Sequence, residues 1–175
     1  MSSRISRYPG VEITPEETEA GRYLTTSYQA TLRYSWSAGV AIGRFLRGLK
    51  DGELWGRECD GCGRTLVPPR MYCEECFRPT DRWSRLRDTG KVTTYSVAYV
   101  NFDASRRKDP ILVAVIEIDG ASPMMGILHL LGEVRPEDIR VGMRVRAVWK
   151  ARSERKGAIT DIKYFRPAIR GGSER

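Results

Sequence analysis

Cys59-Asp60-Gly61-Cys62 and Cys73-Glu74-Glu75-Cys76 decide how the middle of this chain folds. Ten residues separate the two pairs, and the sequence holds no other cysteine. A C-x-x-C turn aims two thiolates at one point while its backbone amides favour the charged sulfur, and two such turns complete the tetrahedral four-sulfur shell that zinc prefers. Gly61 and Gly63 supply the tight bend of the first turn. The intervening Gly63-Arg64-Thr65-Leu66-Val67-Pro68-Pro69-Arg70 is long enough for a small hairpin that returns the second pair to the first. The predicted ligands are Cys59, Cys62, Cys73 and Cys76, with zinc as the metal; four thiolates also accept iron. Four protein ligands leave no position for water, so the metal is structural and holds a segment too small to have a core of its own.

Two other uses of these cysteines fit less well. Disulfides need an oxidising compartment, and Met1-Ser-Ser-Arg-Ile-Ser-Arg-Tyr-Pro9 has no apolar stretch after its charges to read as a signal peptide. A redox C-x-x-C occurs once, at the start of a helix after a strand, whereas this motif is duplicated among Gly and Pro. No apolar run reaches the ~18 residues of a membrane span, and the expected location is the cytoplasm.

Outward from the knuckles, the chain changes its hydrophobic period. Upstream, Ala38, Ile42, Phe45 and Leu49 recur at i, i+4, i+7 and i+11, which predicts a helix over 36–52 with Ser35-Trp36-Ser37 offering an N-cap and Gly52 following the end. Residues 1–35 read as an arm, mobile or ordered by a partner over its acidic first twenty residues and extended from Arg22 to Tyr34. Downstream of a ribbon over 53–84, five β-rich runs fill 85–167: Gly90 to Val100, Ile111 to Ile118, Met124 to Leu131, Met143 to Lys150 and Ala158 to Phe165. Asp119-Gly120 is a hairpin signal, and Pro136-Glu137-Asp138-Ile139 predicts one helical turn between the third and fourth strands. That order is the order of an OB-fold, a partly open five-stranded barrel. Residues 168–175 form a basic tail. The fold class is therefore mainly β with an N-terminal helix, a zinc ribbon and a five-stranded OB-fold.

Charge points to anionic partners. The formal net charge is +8, and from Val141 onward ten Lys and Arg face three Asp and Glu. Such a surplus suits nucleic acid, a phosphorylated cofactor or an acidic protein face, and equally a merely solvated surface.

The run Phe45-Leu46-Arg47-Gly48-Leu49-Lys50-Asp51-Gly52, then Cys59-x-x-Cys62-Gly63-Arg64, then Val67-Pro68-Pro69-Arg70 and Cys73-x-x-Cys76, resembles the zinc-ribbon plus OB-fold proteins of the DUF35 family. The likeness continues through Gly90-Lys-Val-Thr-Thr-Tyr-Ser-Val97 and Ile139-x-Val141-Gly142-Met143-x-Val145, and spans roughly Trp36 to Pro167. The resemblance implies a rubredoxin-like ribbon and an accessory protein of acyl-CoA metabolism. Such a protein assembles with thiolase-superfamily enzymes, among them hydroxymethylglutaryl-CoA synthases and thiolase-like lyases or acyltransferases. It also implies that the catalytic cysteine belongs to the partner and that coenzyme A or acyl-CoA is the bound ligand. The arm before Trp36 is longer than the family minimum and leaves the exact partner open.

The residues themselves argue against catalysis by this chain alone. Claisen chemistry needs a nucleophilic thiolate and a nearby base, yet all four cysteines are committed to metal and the sole histidine, His129, lies in the third strand as a strand-face histidine. Two non-catalytic classes remain: a subunit of an acyl-CoA enzyme, and a single-stranded nucleic-acid-binding OB-fold with a structural ribbon. The second and third strands carry no Phe, Tyr or Trp on which bases stack, and Tyr95 and Tyr99 of the first strand are expected in core or cross-strand packing. Candidate CoA-phosphate contacts are Arg106, Arg107 and Lys108 in the loop between the first two strands, with Arg64 and Arg70 beside the knuckles as alternatives. Candidate partner-docking residues are Trp36, Ile42, Phe45 and Leu49, because the helix stripe needs a cover and a ribbon joined to a small barrel offers little.

Overall fold

The computed structural model describes residues 14–22, 31, 33–101 and 103–168, in two compact units, Met1–Trp36 and Ser37–Arg175. In the first unit the acidic segment expected in an unstructured arm forms a short helix, α1 (Pro15–Glu19). Thr14 and Glu17 cap it reciprocally, each side chain accepting from the other's backbone N–H, and Pro15 occupies the first turn. Most of the predicted extended segment from Arg22 to Tyr34, and most of the basic tail, lie outside the described residues.

The second unit begins with α2 (Gly39–Asp51). Ser37 accepts the Gly39 N–H at 3.2 Å, and Gly52 ends the helix in the left-handed region at φ 82° while the Glu53 N–H returns to the Gly48 carbonyl. The buried face is Ala41, Phe45, Gly48 and Leu49, rotated from the predicted stripe. Phe45 and Leu49 are 4% and 0% exposed, whereas Ile42 is 38% exposed and Ala38 lies outside the core.

Five ribbon strands follow: β1 (Leu54–Glu58), β2 (Thr65–Leu66), β3 (Tyr72–Cys73), β4 (Arg78–Pro79) and β5 (Arg82–Leu86). They form an antiparallel sheet in the order β2-β1-β5, and a separate β3-β4 hairpin. The barrel strands are β6 (Thr89–Val100), β7 (Arg106–Ile118), β8 (Gly126–Leu130), β9 (Arg144–Trp149) and β10 (Ile162–Pro167), in the order β10-β9-β6-β7-β8. A bridge between Leu131 and Phe165 joins the two outer strands, which gives the closure of an OB-fold. A 3-10 turn at Pro136–Asp138 separates β8 from β9, as the sequence predicts. At Gly90 the barrel wall leaves no room for a side chain, since a Cβ there would lie 2.2 Å from the Glu117 carbonyl oxygen.

One core runs through ribbon and barrel: Phe45 and Leu49 from α2, Leu54, Val67 and Leu86 from the ribbon segment, then Val92, Ile116, Ile118, Val145 and Phe165 from the barrel. Burial of this aliphatic set is the principal stabilising term. Two strand boundaries differ from expectation. β7 starts at Arg106 because its hairpin with β6 continues past the barrel to the pair Val100 and Arg106. β10 starts only at Ile162, because Ala158–Asp161 turns to place the buried Asp161 carboxylate under the N–H groups of Lys156, Gly157 and Ala158, at 2.9, 2.7 and 3.1 Å.

Candidate metal centre

The two knuckles are built alike. In the first, the Gly63 N–H donates to the Cys59 carbonyl at 2.7 Å; in the second, the Phe77 N–H donates to the Cys73 carbonyl at 2.9 Å. Each turn closes on a residue in the left-handed region, Gly63 at φ 72° and Phe77 at φ 49°. The glycine adopts this conformation freely, whereas the phenylalanine is strained and leaves its ring 88% exposed.

All four Sγ atoms lie within 4.8 Å of one another, with Cys62 and Cys73 sulfurs 3.6 Å apart. Metal–sulfur bonds of about 2.3 Å in a tetrahedron put sulfurs about 3.8 Å apart, so the donor set fits a four-thiolate metal. Without a metal, the site is electrostatically uneven. Backbone N–H groups, that of Cys76 first, draw the Cys73 thiol down to about 7, while the neighbouring Cys62 thiol, with burial, pushes Cys76 up to about 12. A metal bound by these thiols would displace their protons.

The surrounding charges brace the knuckles. Arg64 reaches Glu74 and Glu75 at 3.0 and 2.9 Å, and Arg70 reaches the same Glu74 at 3.0 Å. Both arginines proposed for phosphate thus have carboxylate partners within the ribbon. Asp81 accepts the Asp60 N–H at 2.7 Å and pairs with Arg78 at 3.0 Å, fixing the first knuckle to the second hairpin.

The remaining sequence-nominated residues are dispersed. Arg106, Arg107 and Lys108 lie in a strand, not in a loop: they open β7, and Arg107 donates to Asn101 Oδ1 at 2.7 Å and to the Asp109 carbonyl at 3.1 Å. Tyr95 and Tyr99 are 40% and 47% exposed on β6, so of the two placements expected, core or cross-strand, the core is excluded. Phe45 and Leu49 are enclosed by the chain's own core and have no surface for a partner; Ile42 remains half-exposed, and Trp36 belongs to the first unit, its ring centroid 6.0 Å from that of Tyr34. His129 has structural partners: Nδ1 accepts the Leu130 N–H at 2.9 Å, Nε2 lies 3.2 Å from the Ile159 carbonyl, and the ring meets Phe165 edge-on at 5.7 Å.

One cluster escaped the sequence reading. Arg44 of α2 lies against the indoles of Trp55 and Trp83, 4.6 and 4.5 Å from their centroids, and Arg57 also lies over Trp83 at 4.8 Å. Arg57 is buried and donates from Nε to Thr80 Oγ1 at 2.6 Å. The available signal was alternation: Trp55 and Arg57 lie two apart on β1, and Trp83 pairs with Arg57 across the sheet.

Comparison with known proteins gives consistent results. Residues 47–82 match the family model described as ChsH2, rubredoxin-like zinc ribbon domain, and residues 83–150 match that of the ChsH2 C-terminal OB-fold domain. A DUF35 domain-containing scaffold protein of Methanocaldococcus jannaschii is 33% identical over 117 residues, covering 65% of this chain and 81% of that protein. A protein of the same description from Methanothermobacter thermautotrophicus is 29% identical over 119 residues, covering 66% and 86%. Among solved structures, a DUF35 family protein of unknown function from Sulfolobus solfataricus superposes with a TM-score of 0.53 at 26% identity, over 63% of this chain and 78% of that one. A chain of the Ltp2-ChsH2(DUF35) aldolase shares the fold, with a TM-score of 0.54 at 20% identity over 81% of this chain and all of that one.

Proposed function

From the premise that this chain belongs to the DUF35 family of zinc-ribbon and OB-fold proteins, we propose that it is a non-catalytic accessory subunit of a thiolase-superfamily enzyme complex in the cytoplasm. Its four cysteines hold one structural zinc, and the metal's contribution is to close the ribbon. The partner, a thiolase, a hydroxymethylglutaryl-CoA synthase or a thiolase-like acyltransferase or lyase, supplies the catalytic cysteine, and this chain positions acyl-CoA or bridges enzymes. The observation that carries the reading is the convergence of every thiol on one centre, with His129 engaged by backbone groups, which leaves this chain without a thiol nucleophile and base for acyl transfer. The scaffold designation of relatives and the presence of a similar fold in an aldolase assembly support it. Assay of the isolated polypeptide on acetyl-CoA and acetoacetyl-CoA tests it: the expected rate is background, and turnover that vanishes in His129→Ala refutes it.

A second reading rests on Tyr95 and Tyr99. Both are exposed on β6, whose Val100 end pairs with Arg106, and this suits single-stranded nucleic acid, whose bases stack on aromatic rings. Retention of nuclease-sensitive material that leaves at high salt favours it.

A further inference from the structure

The outward face of α2 carries a groove of about 580 Å³ between the helix and Trp55. Val40, Arg44, Arg47 and Asp51 follow one another at i, i+4, i+7 and i+11 along it, with Gly39 and Gly43 beside them. The Arg44 guanidinium lies against the Trp55 and Trp83 indoles, and neither Arg44 nor Arg47 has a hydrogen-bond or ion-pair partner among the described residues. Of the acids in the groove, Glu53 is engaged on both oxygens, accepting from Trp55 Nε1 at 3.0 Å and pairing with Arg85 at 3.0 Å. The groove therefore presents the guanidiniums of Arg44 and Arg47, the first held against indoles, with Asp51 as the carboxylate that has no partner among the described residues.

Gly43 adds an independent sign. Gly48, on the buried side, is demanded by the fold, since a Cβ there would stand 2.4 Å from Trp55 Cδ1. Around Gly43 nothing among the described residues lies within 4 Å of a Cβ, and its φ is not in the left-handed region. A glycine inside a helix weakens it relative to alanine. Packing among the described residues gives no reason for that weakness, whereas close approach of a second backbone does.

We propose that this groove is the seat of an acidic segment of the partner protein, its backbone passing over Gly43 and its carboxylates paired with Arg44 and Arg47. The assignment rests on the accessory-subunit reading above. Charge complementarity selects the occupant: two guanidiniums without a carboxylate partner among the described residues, that of Arg44 held against indoles, suit bidentate carboxylates, and Val40, 67% exposed, supplies an apolar contact at the same face.

The test measures the affinity of the full chain for its purified enzyme partner, by titration calorimetry at two salt concentrations. Gly43→Ala should raise the unfolding midpoint of the free chain, which shows that the fold does not need the glycine. Gly43→Leu and Arg47→Glu should each weaken the complex by tenfold or more with the free chain still folded, and wild-type affinity should fall with added salt. Wild-type affinity in both variants overturns the proposal and leaves the accessory-subunit reading standing, whereas a chain that binds no enzyme overturns both. Inorganic pyrophosphate serves as a further probe: if it binds the free wild-type chain and not Arg47→Glu, the groove is a small-anion site and the protein segment is excluded.

Discussion

Gly63 and Phe77 occupy the same place in two turns of the same design, and only one of them has the side chain that the place favours. A Cβ in the left-handed region costs about 1–2 kcal/mol, partly offset by the stiffer unfolded chain. Gly63→Ala should therefore lower the stability of the metal-loaded protein by about 1 kcal/mol, and Phe77→Gly should leave it unchanged or raised. Urea midpoints at constant free zinc distinguish the two. A loss on Phe77→Gly as large as that on Gly63→Ala contradicts the strain assignment and shows that the exposed ring is held by something else. Asp161 gives a pH signature. Burial alone raises a carboxyl, but here the N–H groups of Lys156, Ala158 and Gly157 outweigh it and hold the group below its ordinary value. A depressed folded value contributes stability that is complete above the unfolded value of about 3.9 and is lost as pH falls through the folded one. Asp161→Asn should cost about 1–3 kcal/mol at neutral pH, because an amide has one accepting oxygen where the carboxylate has two and leaves a buried N–H donor facing its NH2 group, and the deficit should shrink below about pH 4. A deficit independent of pH between 3 and 7 contradicts this role.

At the level of elements, the helix is where pattern and packing part. Its existence was legible from four apolar residues at helical spacing, but that stripe was drawn through Ala38 and Ile42, while the core takes Ala41 and Gly48 with Phe45 and Leu49. Small residues carry little weight in a hydrophobic pattern, yet Gly48 is what lets Trp55 approach. Leu49→Ala should accordingly cost about 2–5 kcal/mol, and Ile42→Ala well under about 1. Equal losses would mean that the helix is turned otherwise. The barrel strands were legible because β-branched runs ended at turn residues. The start of β10 was not, because Asp161 draws four residues of strand-like sequence into a turn through contacts with backbone N–H groups that no side-chain pattern encodes. The early start of β7 was masked likewise, since Arg106-Arg107-Lys108 reads as loop composition and is held extended by pairing with β6. The spacing of four cysteines announced that their thiols converge, but the partners of Arg64 and Arg70 emerged only when the fold brought Glu74 and Glu75 beside them.

Across the whole molecule, ribbon and barrel are joined by one core, so the metal's influence should not stop at the knuckles. Leu54 and Leu86 enter the core beside Ile118 and Val145, and Thr65 and Ser122 exchange backbone and side-chain hydrogen bonds across the seam at 2.9 and 3.0 Å. Removal of zinc by a chelator should therefore lower a single cooperative unfolding transition for the second unit, because a ligand bound only to the folded state stabilises everything that folds with it. Two separated transitions in the metal-free protein would show that the barrel stands alone. Among the described residues no helix is long and apolar enough to cross a membrane. The most direct measurement is native co-purification of this chain from its own cell after nuclease treatment, with mass analysis of the complex and assay of each fraction on acyl-CoA. The account predicts a thiolase-superfamily enzyme in fixed ratio with this chain, one zinc per copy of it, and activity only where the enzyme elutes. An isolated chain that turns over acyl-CoA, or one whose only companion is nucleic acid, would contradict it.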